Sequence, residues 1–100
     1  MITSSQCRAA RALAEISREH LARISDVSEQ TIANFERKLA KPDDKAIEDL
    51  QHALERVGVL FIAEDSRGIG VRLKFTRSEA RRIGILESEG GRVGDDDVPS

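Results

Sequence analysis

Cysteine is almost absent from this chain of 100 residues, and proline is nearly as rare. Because Cys7 is the only cysteine, the chain can form neither an intramolecular disulfide nor a cysteine-rich zinc site. The two histidines, His20 and His52, lie 32 residues apart without metal-ligand spacing, so we expect no metal and no other cofactor. No glycine-rich phosphate loop, nucleophile–base pair or paired carboxylates can be found. We therefore expect a protein that is not an enzyme.

Long hydrophobic runs are missing as well. No stretch approaches the roughly 18–20 apolar residues that span a bilayer. Residues 1–14 have neither the apolar segment nor the small-residue cleavage site of a signal peptide. These absences predict a cytoplasmic location, and the length of the chain fits a single hydrophobic core.

The net charge of −2 conceals an uneven distribution. Residues 1–42 carry seven basic and five acidic side chains, and residues 67–82 carry six basic side chains and one acidic. The acidic residues gather in residues 43–55 and after residue 86. A chain that is segregated in this way can present basic surfaces to nucleic acid although it is acidic overall.

Four short helices are predicted from capping residues and from apolar residues that recur every three or four positions. They cover about residues 4–14, 18–24, 29–37 and 44–57. The expected caps are, in chain order, a Thr3–Gln6 capping box, Ser17, Ser28 and either Asp43 or Asp44.

The pattern changes after Gly58. Residues 59–62 are β-prone, residues 66–68 favour a turn, and residues 71–75 alternate apolar and basic side chains, which predicts a β-hairpin with one buried face and one basic face. A capping box then predicts a short basic helix near residues 77–86, and residues 88–100 have the composition of a disordered acidic tail. The expected fold is mainly α, with four to five helices and a C-terminal hairpin.

The strongest pattern lies in residues 17–38, SREHLARISDVSEQTIANFERK. Two short helices are joined there by about three residues, and Ala22 is small enough for a close helix crossing. Leu21, Val27, Ile32 and Phe35 supply a shared apolar core. The succession Ser-x-x-x-Leu-Ala and Val-Ser-x-x-Thr-Ile-x-x-x-Glu resembles the helix-turn-helix of Xre-type regulators, the family of the Cro and CI phage repressors. The resemblance covers residues 6–57.

This resemblance implies a lambda-repressor-like fold and a regulator that binds double-stranded DNA at a palindromic operator as a homodimer. Residues 1–58 would be the DNA-binding domain, and residues 59–87 would serve dimerisation. The chain departs from the family pattern at two places. Asp26 stands where a glycine usually takes a left-handed conformation, and Arg37-Lys38 follows Glu36 where glycine is frequent, which predicts a slightly longer helix.

The resemblance also assigns DNA contacts, because the third helix would enter the major groove with its N-terminal residues against the bases. The implied base contacts are Ser28, Glu29, Gln30, Thr31 and Asn34. The implied phosphate contacts are Ser17, Arg18, Arg37, Lys38 and Lys41. Arg11 and Glu36 are expected to form a structural ion pair.

Other interpretations stay open at this point. The hairpin can pack back on the helices or pair with the same strand of a second subunit. The same helices would also suit a bundle without a DNA-binding role. A protein-interaction module, such as an antitoxin or anti-activator that also binds its own promoter, is the main alternative function. A nonspecific nucleoid protein is disfavoured by the negative net charge.

Overall fold

The computed structural model describes residues 1–74. Four helices come first, α1 (Ser4–Ala14), α2 (Arg18–Ser25), α3 (Glu29–Glu36) and α4 (Asp44–Arg56). An antiparallel hairpin of β1 (Val59–Asp65) and β2 (Gly68–Leu73) follows. This part of the chain is thus mostly helical with one two-stranded sheet, as the sequence predicts. The helix predicted near residues 77–86 and the tail predicted for residues 88–100 lie outside the described residues.

Each helix begins at a side chain that caps it. Thr3 and Gln6 form the predicted capping box at the start of α1. Ser17 and Ser28 each accept a hydrogen bond from the backbone N–H three residues further on. Asp43, the first of the two candidates for α4, does the same at 2.9 Å. These bonds satisfy N–H groups that have no partner inside the helix.

Three chain reversals use a left-handed backbone without glycine. Glu15, Asp26 and Lys38 have φ angles of 59°, 64° and 62°. Asp26 ends α2 in the turn where the family resemblance implies this conformation. The prediction of a longer third helix is wrong, because α3 ends at Glu36 and the chain turns at Lys38, whose N–H donates to the carbonyl of Phe35.

The apolar core is shared by all four helices and the inner face of the hairpin. Its fully buried side chains include Leu21, Ile32, Ile47, Leu50, Leu54 and Val59. Val59 is the first residue of β1, and Phe61, Val71 and Leu73 pack against the same core. The hairpin is thus packed back on the helices, one of the two arrangements that the sequence left open, and pairing with a second subunit stays a prediction.

Gln6 ties α1 to this hairpin. Its Nε2 donates to the carbonyl oxygens of Ile62 at 3.1 Å and Gly70 at 2.9 Å, two residues that are paired across the strands. Its Oε1 accepts the hydrogen bond from Thr3 that completes the capping box. One buried amide therefore starts the first helix and also positions the sheet.

The outer face of the hairpin is mixed, and the prediction of a basic face is only half right. Arg72 and Lys74 are exposed there, but Leu60 and Ile62 are also 37% and 41% exposed. Ile69, near the turn, is 46% exposed. The sheet thus presents apolar groups to the outside as well as positive charge. None of the helices within residues 1–74 has both the length and the apolar character needed to cross a membrane.

Candidate nucleic-acid interface

A three-residue connection joins α2 to α3. Asp26 reverses the chain, Val27 is buried, and Ser28 caps α3. Leu21 of α2 and Ile32 of α3 are fully buried in the common core. The two helices are therefore packed through the apolar residues that the sequence assigned to this contact.

The helix α3 has a buried side and an exposed side. Its buried residues are Ile32, Ala33, Phe35 and Glu36. The outer face of α3, as we call the other side, consists of exposed or half-buried polar residues: Ser28, Glu29, Gln30, Thr31, Asn34 and Arg37. All five predicted base contacts are therefore exposed or half-buried: Gln30 and Thr31 lie one turn before Asn34, and Ser28 and Glu29 stand at the start of the helix.

Hydrogen bonds connect neighbouring side chains on the outer face of α3. Gln30 Nε2 donates to Asn34 Oδ1 at 3.1 Å, which leaves each of these amides further donor and acceptor positions for a base edge. Ser28 Oγ accepts from the Thr31 N–H and donates to Thr31 Oγ1 at 2.7 Å. Both hydroxyls thus hold the first turn of α3 together, and their contact with bases stays a prediction.

Glu36 lies on the buried side of the same helix and has no exposed surface. The predicted partner Arg11 donates to both carboxylate oxygens, from Nε at 2.8 Å and from Nη2 at 2.7 Å. Arg18 Nε also donates to Oε1 at 2.9 Å, although the sequence assigned Arg18 to phosphate alone. The Cys7 thiol is 3.4 Å from Oε2. One carboxylate therefore joins α1, α2 and α3.

The charge states of this network follow from burial and from its hydrogen bonds. Burial raises the pKa of Glu36, but the hydrogen bonds from Arg11 and Arg18 outweigh it, so the pKa of the carboxyl is lowered. Burial, together with the charge of Glu36, raises the pKa of Cys7 to about 12. At neutral pH the network thus contains one carboxylate, two guanidinium ions and a neutral thiol.

A concave surface beside this network is lined by four arginines. This arginine pocket has a volume of about 400 Å³, and its lining residues are Arg8, Arg11, Arg18 and Arg37 together with Ser5, Ala9 and Ala12. The structure thus brings together Arg18 and Arg37, two of the predicted phosphate contacts. It adds Arg8, which the sequence analysis missed. The available signal was the three-residue spacing of Arg8 and Arg11, which places both on one face of a helix.

The remaining predicted phosphate contacts lie elsewhere. Lys38 and Lys41 border a groove of about 540 Å³ whose other lining residues include Phe35, Leu39 and Ile47. Ser17 caps α2. The structure therefore divides the predicted phosphate contacts between two concave surfaces and a helix start, instead of joining them in one strip.

No protein-family model matches this sequence, and a search of curated proteins found no match. Within residues 1–74, no group of three or more histidine, cysteine or acidic side chains is placed to hold a metal ion. The assignment of a function therefore depends on the geometry of the described residues.

Proposed function

We propose that this protein is a transcriptional regulator with a lambda-repressor-like helix-turn-helix of the Xre type, and that α3 enters the major groove of double-stranded DNA. The observation that carries the proposal is the outer face of α3. It presents amide and hydroxyl groups to the outside, while the positive charges of Arg18 and Arg37 lie beside it in the arginine pocket.

The polar groups of this face have the chemistry needed to read base edges. The amides of Gln30 and Asn34 can each form a bidentate pair with adenine, and Glu29 can accept a hydrogen bond from the amino group of cytosine. The bond between Gln30 and Asn34 restricts both side chains before DNA arrives. Less conformational entropy is therefore lost on binding.

Basic residues at the start of α2 and after the end of α3 supply the sequence-independent part of binding. Arg18 stands at the start of α2, and Arg37, Lys38 and Lys41 follow α3. Since Arg37 and the two lysines line different concave surfaces, we infer that they contact two separate stretches of the phosphate backbone.

We assign dimerisation to the outer face of the hairpin. Its exposed apolar side chains, Leu60 and Ile62, would be covered by the same residues of a second copy around a two-fold axis. Two half-sites would then give the specificity that one short helix does not reach alone.

Point substitutions test this interface better than a truncation, because Val59 belongs to the core and a chain that ends at Gly58 would lose it. The wild type should sediment as a dimer in analytical ultracentrifugation, and the double variant Leu60→Lys/Ile62→Lys should sediment as a monomer. A variant that remains a dimer would move the interface to another surface.

The exposed apolar residues of the hairpin also favour the alternative of a protein-interaction module that binds its own promoter. Such a module would leave this face open for a different protein. A wild-type chain that sediments as a monomer would therefore support the alternative, and a dimer would support the regulator.

Selection of bound sequences from random duplex DNA tests the function as a whole. We expect enrichment of a palindrome whose half-sites lie about 10 base pairs apart, or a multiple of that, since α3 of each subunit must face the same side of the duplex. A selection by the full chain that enriches no sequence would contradict the proposal.

A further inference from the structure

The arginine pocket concentrates positive charge without an acidic residue in its lining. Four guanidinium ions stand around it, and the carboxylate of Glu36 is bonded to two of them, those of Arg11 and Arg18. Within residues 1–74, Arg11 and Arg18 are paired with Glu36, whereas Arg8 and Arg37 are exposed and are joined to no carboxylate. Among the described residues, the lining of this pocket therefore carries more positive than negative charge.

Two of the four arginines are held in place before any ligand arrives. Arg11 is fixed by two bonds to Glu36 and by a third, from Nη1 to the Ile16 carbonyl at 3.3 Å. Arg18 uses only its Nε on Glu36, and a guanidinium has five N–H donors in total. A preorganised donor loses little entropy on binding. Glu36 therefore holds Arg11 and Arg18 in position. The exposed side chains of Arg8 and Arg37 can change conformation to enclose a ligand.

The geometry points to a binding site for phosphate groups, and we propose that the arginine pocket binds a ligand with two linked phosphates. Guanidinium forks match the oxygens of a phosphate and bind them in bidentate fashion. The volume of about 400 Å³ lies within the range of small-ligand sites and exceeds what one phosphate needs. Two linked phosphates would use all four arginines.

Such phosphates can come from two sources. Successive phosphates of a DNA strand would extend the interface from α3 onto α1, and this source rests on the function proposed above. A free compound with a diphosphate group would instead occupy the pocket outside the DNA interface, without opposing DNA binding. The chemistry of recognition is the same for both.

The binding site is tested without DNA, by calorimetric titration of the full chain with inorganic pyrophosphate at low ionic strength. Arg8→Gln and Arg37→Gln should each weaken pyrophosphate binding about tenfold, which is the loss of one charge-assisted hydrogen bond. Both side chains are exposed and take no part in the Glu36 network, so the variants should melt as the wild type does.

Arg23→Gln is the matched control, because it removes the same charge from an exposed position on α2 outside the pocket. It should bind pyrophosphate as the wild type does. Equal weakening in all three variants, or no binding by the wild type, would overturn the proposal, since either result would mean that no specific site exists.

A competition experiment then separates the two sources. In one outcome, pyrophosphate displaces a selected DNA duplex from the wild type and does so tenfold less well from Arg8→Gln. This result would place the pocket on the DNA-binding surface. Pyrophosphate that binds without displacing DNA would support the pocket as a site for a free ligand. If no DNA binds at all, the proposed function fails while the pyrophosphate titration still stands.

Discussion

The two sides of α3 differ in almost every physical respect although they belong to one short helix. On the buried side, the charged group of Glu36 is completely enclosed and bonded to three side chains. On the outer face, Gln30 and Asn34 bond each other and face solvent. Because buried paired charges hold elements together and exposed amides contribute little to folding, we expect stability to depend on one side and DNA recognition on the other.

The largest effect should come from Glu36→Gln. We expect the free energy of unfolding in urea to fall by about 3 kcal/mol, since two guanidinium ions lose their buried partner. This is the low end of the range for such a loss, because Arg11 and Arg18 are 19% and 28% exposed and can regain some water. Glu29→Gln, on the outer face of the same helix, is the control and should change stability by less than about 0.5 kcal/mol. Equal losses of unfolding free energy in the two variants would contradict the expected difference between the buried side and the outer face.

The contribution of Glu36 should also depend on pH. Its pKa is lowered in the folded state, so its contribution is complete at neutral pH and is lost as the pH falls through that lowered pKa. The difference in unfolding free energy between the wild type and Glu36→Gln should therefore shrink as the pH falls below the ordinary range of carboxyl pKa values. A difference that stays constant from pH 7 down to acid unfolding would mean that Glu36 is not ionised.

Arg18 donates a hydrogen bond to the buried Glu36 and is also a proposed phosphate contact. Its removal should therefore lower both stability and DNA affinity. In Arg18→Ala we expect a loss of about 1.5–3 kcal/mol in stability, from one hydrogen bond to a charged group. The affinity for every DNA sequence should fall by a similar factor. The slope of the logarithm of the binding constant against the logarithm of the salt concentration should become shallower by about 0.9 per half-site, the share of one phosphate contact. Urea unfolding and DNA titrations at two salt concentrations measure the two losses. A stability loss with unchanged DNA affinity would make Arg18 purely structural.

Substitution of Lys38 by glycine should raise stability and lower the affinity for DNA. Lys38→Gly relieves the left-handed backbone, which costs a residue with a side chain roughly 1 kcal/mol, so the melting temperature should rise. The same change removes a proposed phosphate contact, so the affinity for DNA should fall. Lys41→Ala is the matched control: it should weaken DNA binding similarly and leave the melting temperature unchanged. A Lys38→Gly variant that gains no stability would show that the turn is not strained.

Features that depend on a few neighbouring residues could be predicted from the sequence. The caps at Thr3, Ser17, Ser28 and Asp43 form bonds only three residues long, and the apolar spacing sets the buried faces. The left-handed conformation of Asp26 was expected from the resemblance, in which a glycine usually takes this conformation in the turn.

Features that depend on the packing of distant elements could not be predicted. Gln6 bonds carbonyls that are 56 and 64 residues away, and Arg8 lines a pocket only because the fold brings Arg18 and Arg37 beside α1. The second partner of Glu36, Arg18, was missed for this reason. The turn at Lys38 was missed because its sequence, without glycine, gives no local sign of a reversal.

If the outer face of α3 reads DNA and the buried side maintains the fold, a substitution on the outer face should change DNA binding and leave stability unchanged. Titration of Gln30→Ala with the selected palindrome and with an unrelated duplex, together with urea unfolding of the same variant, tests this separation. We expect a loss of about 1–3 kcal/mol on the palindrome, little change on the unrelated duplex, and a free energy of unfolding within about 0.5 kcal/mol of the wild type. Equal losses on both duplexes would contradict DNA reading by the outer face, because Gln30 would then not distinguish one base sequence from another.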